Sequence, residues 1–136
     1  MYQKFIYVAS PYSSGADEDL MTHRARDTAY KMSQLINRFT DYFFYSPVCH
    51  FRSIAIEGHL PHDRHFWWGV NEYMLNRSDE MWILDIPGWE ESDGVKQEIE
   101  YAKKLGIPIR VVKINSTPQL CIVGNMCSDY FHFRTI

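Results

Sequence analysis

The residues of this chain best suited to chemistry stand between positions 85 and 98. Asp85 is followed there by Pro87-Gly88-Trp89, and then by Ser92-Asp93-Gly94-Val95-Lys96-Gln97-Glu98. Ser92 has the side chain of a helix N-cap, and the free N–H groups of Gly94 and Val95 behind it offer a seat for an anion or a sugar hydroxyl. Gly94 lets a ligand approach the backbone closely. Glu98 follows Gly94 by one turn and shares its helix face, at the edge of the Val95/Ile99 apolar stripe. A carboxylate half-buried there is costly unless it has work to do. The competing reading is a solvated helix flank, as expected for Glu100.

Other side chains carry weaker signals. Ser10, Ser13 and Ser14 offer phosphate contacts, although a serine-rich loop before a helix also serves as a capping turn. Trp67, Trp68 and Trp89 can stack on a base or fill a core, and Trp68 reads as the core residue. His50, in the loop after a second strand, is a candidate contact for a base edge or a structural histidine. His59, His62 and His65 are evenly spaced, but Pro61 breaks a common helical face and no carboxylate or cysteine pattern completes a metal site. No metal is expected. Cys49, Cys121 and Cys127 are odd in number and lack a CxxC pair, so they read as buried or idle thiols.

These groups need elements to hold them. Residues 5–9 form a β-rich apolar run that breaks at Ser10-Pro11-Tyr12-Ser13-Ser14-Gly15, a strand followed by a loop. Asp17, Glu18 and Asp19 mark a helix start, and Met21, Ala25, Thr28, Ala29, Met32, Leu35, Ile36 and Phe39 recur at helical spacing behind them. Residues 42–46 read as a second strand stopped by Pro47. Residues 48–64 read as irregular, with a short helix about 51–56, and residues 66–75 as helical. Residues 81–84 read as a central strand ending at Asp85, and the helix opened by Ser92 closes at Gly106 and Pro108. Residues 107–114 give a fourth strand and 120–123 a possible fifth. The alternation predicts an α/β doubly wound, flavodoxin-like three-layer sandwich with a mainly parallel five-stranded sheet, in one domain spanning 1–136. Ligands of such sheets sit at the carboxyl ends of the strands. That points to the loop after residue 9, to residues 46–50 and to residues 85–98.

Composition limits what this pocket can serve. The 136 residues hold 14 Lys+Arg against 17 Asp+Glu, a net charge of −3, so no basic field recruits a nucleic acid polymer or an acidic membrane surface. Hydrophobic residues at 46% and aromatics at 15% rule out a disordered chain. No apolar run reaches the ~20 residues of a membrane span, and the first eight residues lack a leader pattern, so a cytoplasmic location is expected.

Three fragments carry a family resemblance: Ile6-Tyr7-Val8-Ala9-Ser10-Pro11-Tyr12, the pair Ser78-Asp79 before an apolar strand, and Leu84-Asp85-Ile86-Pro87-Gly88-Trp89 with Ser92-Asp93-Gly94-Val95-Lys96-Gln97-Glu98 and Gly106-Ile107-Pro108. Over roughly residues 4 to 112 the chain resembles the nucleoside 2-deoxyribosyltransferase superfamily, and more closely a bacterial and phage branch with the Pro-Gly-Trp and Ser-x-Gly-Val-x-x-Glu combination. The resemblance implies cleavage or transfer at the N-glycosidic bond of a 2′-deoxynucleoside or its 5′-monophosphate. Glu98 would be the nucleophile that forms a covalent glycosyl intermediate, and Tyr7 would orient it or the sugar. The sequence departs from the family where an acid protonates the leaving base: the matching position is Asn71, which cannot donate that proton, leaving Glu72, Asp85 or Asp93 to replace it. Ser92 stands where transferases of free nucleosides tend to have Asp and hydrolases of 5′-monophosphates tend to have Ser, which favours a phosphate at the helix N-terminus. Ser10, Pro11, Tyr12, His50, Trp89, Ser92, Asp93 and Gly94 complete the expected substrate contacts. The resemblance also implies no organic cofactor and at least a homodimer with shared pockets. The alternatives are a nucleotide-binding or sensing module that kept the pocket without the proton donor, and a partner-binding domain with an aromatic surface. The tail from 116 would add an edge strand or reach a partner's pocket, with Asn125, Ser128 and Asp129 as its polar candidates.

Overall fold

The protein is described by a computed structural model covering residues 1–115 and 130–136. Strand β1 (Lys4–Ala9) leads through helix α1 (Glu18–Arg38) to β2 (Tyr42–Tyr45). Helices α2 (Pro47–Gly58) and α3 (Arg64–Asn76) precede β3 (Glu80–Leu84). Helix α4 (Asp93–Leu105) then leads to β4 (Ile109–Ile114), and β5 (Phe131–Thr135) is last. The sheet order is β2-β1-β3-β4-β5. The first four strands are parallel, and β5 pairs antiparallel with β4. This is the expected α/β sandwich with a mainly parallel five-stranded sheet. The possible strand at 120–123 lies outside the described residues, as do Cys121, Cys127, Asn125, Ser128 and Asp129; the observed fifth strand comes later.

Side chains alternate along each strand, and both faces are buried. Tyr7, Ala9, Met81 and Ile83 pack with Leu75 of α3 and with Val95 and Ala102 of α4. Ile6, Val8, Trp82 and Leu84 pack on the other face with Met32 and Leu35 of α1. A third cluster joins Tyr12 and Ala25 to Val48, Phe51 and Ala55 of α2 and Trp67 of α3. The first helix buries Ala25, Thr28, Met32 and Leu35 as its spacing predicts, but Ile36 is exposed.

One segment differs from its sequence reading. Residues 59–63 are the expected loop, but the short helix expected about 51–56 is longer: α2 runs from Pro47, which was expected only to stop the preceding strand. Ser46 is the N-cap and accepts a hydrogen bond from the Cys49 N–H. Proline at the first helical position loses no backbone bond, since its missing N–H would have had no intrahelical partner. His50 and the exposed thiol of Cys49 therefore sit on a helix, not in a loop.

At the amino end of β3, away from the carboxyl ends of the strands, Glu80 is buried. It accepts hydrogen bonds from Lys4 Nζ at 2.5 Å, Arg110 Nε at 2.9 Å and Trp82 Nε1 at 3.0 Å. Burial works to raise its carboxyl, and the bonds from Lys4, Trp82 and Arg110 overcome this and hold it down to about 2. These contacts tie β1, β3 and β4 together. Because this value lies below the ordinary 4.5, the contribution is complete above pH 4.5 and is lost as pH falls through about 2. Glu80→Gln is expected to lower the unfolding free energy near pH 7 by about 2 kcal/mol, read by urea denaturation, with the difference from wild type shrinking in acid.

Candidate active site

Because β1, β2 and β3 are parallel, the segments that follow them emerge at one end of the sheet, and the pocket opens there. It measures about 290 Å³. The loop after β1 supplies Ser10, Tyr12, Ser13 and Ser14; α2 supplies Pro47, Val48 and Phe51; residues before and within α3 supply His62, Asp63, Arg64, His65, Trp67, Trp68 and Asn71; the head of α4 supplies Ser92, Asp93, Gly94, Gln97 and Glu98.

A buried arginine that the sequence gave no reason to single out fixes this end. Arg24 of α1 donates through one terminal nitrogen to the carbonyls of Tyr12 and Ser14, each at 3.0 Å. Its other terminal nitrogen lies against Gly88, where a Cβ would stand only 2.5 Å away. Gly88 also has φ +99, a conformation that disfavours side chains, so the Pro-Gly turn is required on two counts. The loop after β1 and the turn after β3 are thus both set against one guanidinium. Across the gap, the Asp93 N–H donates to Ser14 Oγ at 3.3 Å.

Ser92 caps α4 by accepting from the Val95 N–H at 3.3 Å, which directs the next turn into the pocket. Glu98 reaches the pocket from that turn and is only 7% exposed. The hydroxyl of Tyr7, on β1 beneath it, donates to Glu98 Oε2. Burial pushes the Glu98 carboxyl up to about 8, although the Tyr7 hydrogen bond pulls in the opposite direction. The Tyr7 phenol is pushed well above its ordinary value by burial, by the neighbouring Glu98 charge and by that bond, so it remains a donor. The carboxyl is therefore poised between its two forms near neutrality, as nucleophiles and acid–base groups often are.

The expected residues divide into three groups. Ser10, Tyr12, Ser13, Ser14, Asn71, Ser92, Asp93, Gly94 and Glu98 line the pocket together. Tyr7 lies fully buried beneath it and reaches it through Glu98, and Pro11 is also fully buried. Asp85, Trp89 and His50 are not among the lining residues. Asp85 is exposed and accepts from Trp89 Nε1 at 3.1 Å, and the Trp89 ring is packed in the core with Val95 and Ile83. The His50 ring packs against Tyr45, with centroids 5.8 Å apart. Glu72 lines a separate hollow with Glu100 and Lys104. Of the three proposed replacements for the missing acid, Asp93 alone borders the pocket.

The tryptophans also exchange roles. Trp68, read as core, is half-buried and lines the pocket edge-on to Tyr101, at 87°. Trp67 is the buried one, stacked on Phe51 with centroids 4.9 Å apart. His62 hydrogen-bonds Tyr12 through Nδ1 at 2.9 Å, and His59 caps α2, so the even spacing of the histidines does not bring them to one point. Among the described residues no three His, Cys, Asp or Glu side chains are grouped as a metal ion would require. Sequence reasoning missed Arg64 and Gln97, whose side chains bond at 3.1 Å across the mouth. Gln97 follows Asp93 by one turn, a signal that could have found it; Arg64 had none.

Because the Glu98 value is raised above its ordinary 4.5, the folded state holds the proton that the unfolded chain gives up. Stability is complete below pH 4.5 and is lost as pH rises through about 8. Glu98→Gln is expected to abolish this slope, so that the melting temperatures of wild type and variant converge in acid and the variant melts higher at pH 9. Parallel pH dependences would contradict the buried carboxyl.

With this geometry in hand, the chain can be compared with known proteins. Residues 4–114 match the family described as Domain of unknown function (DUF1937). No curated protein matches. Among solved structures, the 2-deoxyribosyltransferase of Bacillus psychrosaccharolyticus superposes with a TM-score of 0.50 at 19% identity, covering 94% of this chain and 82% of that one. The 2-desoxiribosyltransferase of Leishmania mexicana gives 0.51 at 16%, covering 96% and 78%. No helix of the described residues is long and apolar enough to cross a membrane. The chain belongs to the DUF1937 family, and its fold is that of the nucleoside 2-deoxyribosyltransferases.

Proposed function

We propose that this pocket cleaves or transfers the N-glycosidic bond of a 2′-deoxynucleoside or its 5′-monophosphate, with Glu98 as nucleophile. The observation that carries the reading is a carboxylate buried in the pocket, held by a phenol from the central sheet and facing space enough for a small ligand. A Glu98 oxygen attacks C1′ as the C1′–N bond breaks, and the bond's electron pair leaves with the base, which takes up a proton. Water or a second base then attacks C1′ from the vacated side and releases the carboxylate. Positive charge developing at the sugar favours ionised Glu98, offsetting the burial that raises it in the empty pocket.

The walls suit such a substrate. Trp68 and Phe51 line the pocket with aromatic carbon against which a base can pack. At the mouth, the Arg64 guanidinium makes no ion pair among the described residues and stands beside the N-terminus of α4, where the Gly94 N–H has no intrahelical partner. Ser13, Ser14 and Ser92 add hydroxyls there. A 5′-phosphate is supported by this group, against the single charge of Asp93. The reading also carries the expectation of a homodimer or higher oligomer and of no organic cofactor.

Incubation with matched deoxynucleosides and 5′-monophosphates, following free base by chromatography, tests the proposal. Wild type is expected to release base, with lower KM for the monophosphates, and Glu98→Ala to lose on the order of 10⁴-fold in rate. Saturable binding without release would make the pocket a nucleotide-binding module instead. Asn71→Asp, which restores an acid to the pocket wall, is expected to raise turnover by about 10²-fold; an unchanged rate would mean that another residue already protonates the base.

A further inference from the structure

Beneath the pocket, beside Tyr7, lies a polar group that the proposed reaction has not used. Tyr7 and Tyr45 are register partners on the parallel strands β1 and β2. Their side chains share the sheet face beneath α4, with ring centroids 5.7 Å apart and planes tilted by 48°. Tyr7 spends its hydroxyl on Glu98. The hydroxyl of Tyr45 is buried and has no hydrogen-bond partner among the described residues. Buried hydroxyls are almost always satisfied, and phenylalanine would fill the same volume without the desolvation penalty, so this orphan calls for a physical reason.

The protonation state of Glu98 provides one. A neutral carboxyl is a weak acceptor that already receives the Tyr7 hydroxyl, whereas an ionised carboxylate is a strong acceptor at both oxygens and draws in a second donor. Burial first, and then the Glu98 charge acting through space, push the Tyr45 phenol up to about 12, so it keeps its proton at any working pH. The other titratable groups around Glu98 are more peripheral: Asp93 on its own helix, and His62, Asp63, Arg64 and His65 at the start of α3, all bordering the pocket. His50 packs its ring on Tyr45 from α2.

We propose that Tyr45 is a second positioning residue for Glu98: idle while the carboxyl is protonated, its hydroxyl donates to the ionised carboxylate, so that the nucleophile is presented from between two phenols. As Glu98 ionises, its proton passes to solvent and the Tyr45 donor is satisfied. The orphaned hydroxyl is thus held ready for the charged state, a cost in the resting protein that turns into stabilisation of the attacking one. The catalytic part of this inference rests on Glu98 being the nucleophile; the coupling between the two side chains does not.

The test is Tyr45→Phe in the full chain, with two measurements that require no substrate. Selective carbon labelling of glutamate lets NMR follow the Glu98 carboxyl, whose midpoint is expected to rise by roughly one pH unit when a donor to its charged form is removed. Thermal melting is expected to cross over: the variant melts above wild type at pH 6, where the orphan is removed, and below it at pH 9, where a hydrogen bond is lost. The same substitution in a Glu98→Gln background is expected to show no crossover. A pH-independent melting difference together with an unmoved Glu98 midpoint would overturn the proposal and leave Tyr45 a packing residue. Where base release is observed, Tyr45→Phe is expected to lower kcat about tenfold with KM unchanged and to shift the pH–rate profile upward. Absence of base release from wild type would overturn the glycosyl-transfer reading, while the crossover would still decide the coupling.

Discussion

The burial of one carboxyl group against one phenol sets the demands that the surrounding structure meets. Glu98 sits where water reaches it poorly, so its charge must be stabilised by the protein or remain neutralised by a proton. Tyr7 supplies a single donor, enough to orient the group but not to hold it ionised near neutral pH. To keep that pair aligned, the strand carrying Tyr7 is flanked by β2 and β3, and α4 is seated on the sheet by Val95 and Ala102. Among the described residues no counter-ion pairs with Glu98, and packing holds it in place.

Contrast with Glu80 clarifies the point. Both carboxyls are buried, at 5% and 7% exposure, yet they are driven in opposite directions. Glu80 meets a lysine, an arginine and an indole N–H, and stays charged at the amino ends of the strands. Among the described residues Glu98 meets only a hydroxyl, at the carboxyl ends. A parallel sheet gives its two ends different environments, and here the charge-satisfied carboxylate is structural while the under-satisfied one faces a cavity. That asymmetry is the reason the second site is the one proposed for chemistry.

Arg24 and Gly88 illustrate how the loops are held in addition to the apolar packing of Tyr12, Ile86 and Trp89. The guanidinium bridges two carbonyls of the loop after β1 and lies against Gly88 in the turn after β3, where a side chain would displace it. The serine-rich loop, the Pro-Gly turn and the head of α4 thereby converge on one opening. Ser14 closes the arrangement by accepting from the Asp93 N–H.

The sequence alone determined the periodicities: four apolar runs, helices with one buried face, and a capped helix placing Glu98 one turn behind Gly94. From these follow a parallel sheet and a ligand end, because strand and helix periods are local and survive any tertiary context. The Ser46-Pro47 pair misled because the same proline that ends a strand also begins a helix, a choice made by what packs against Val48, Phe51 and Ala55. Only the tertiary structure decided which polar groups meet. Arg64 and Gln97 are 33 residues apart, Tyr7 and Glu98 are 91 apart, and Tyr45 gains its significance from a strand neighbour. Trp89 and Asp85, adjacent to the motif in sequence, instead bond to each other outside the cavity. Local spacing specifies which face a side chain occupies, but the burial and partners that set its chemistry depend on chain segments brought together only by folding.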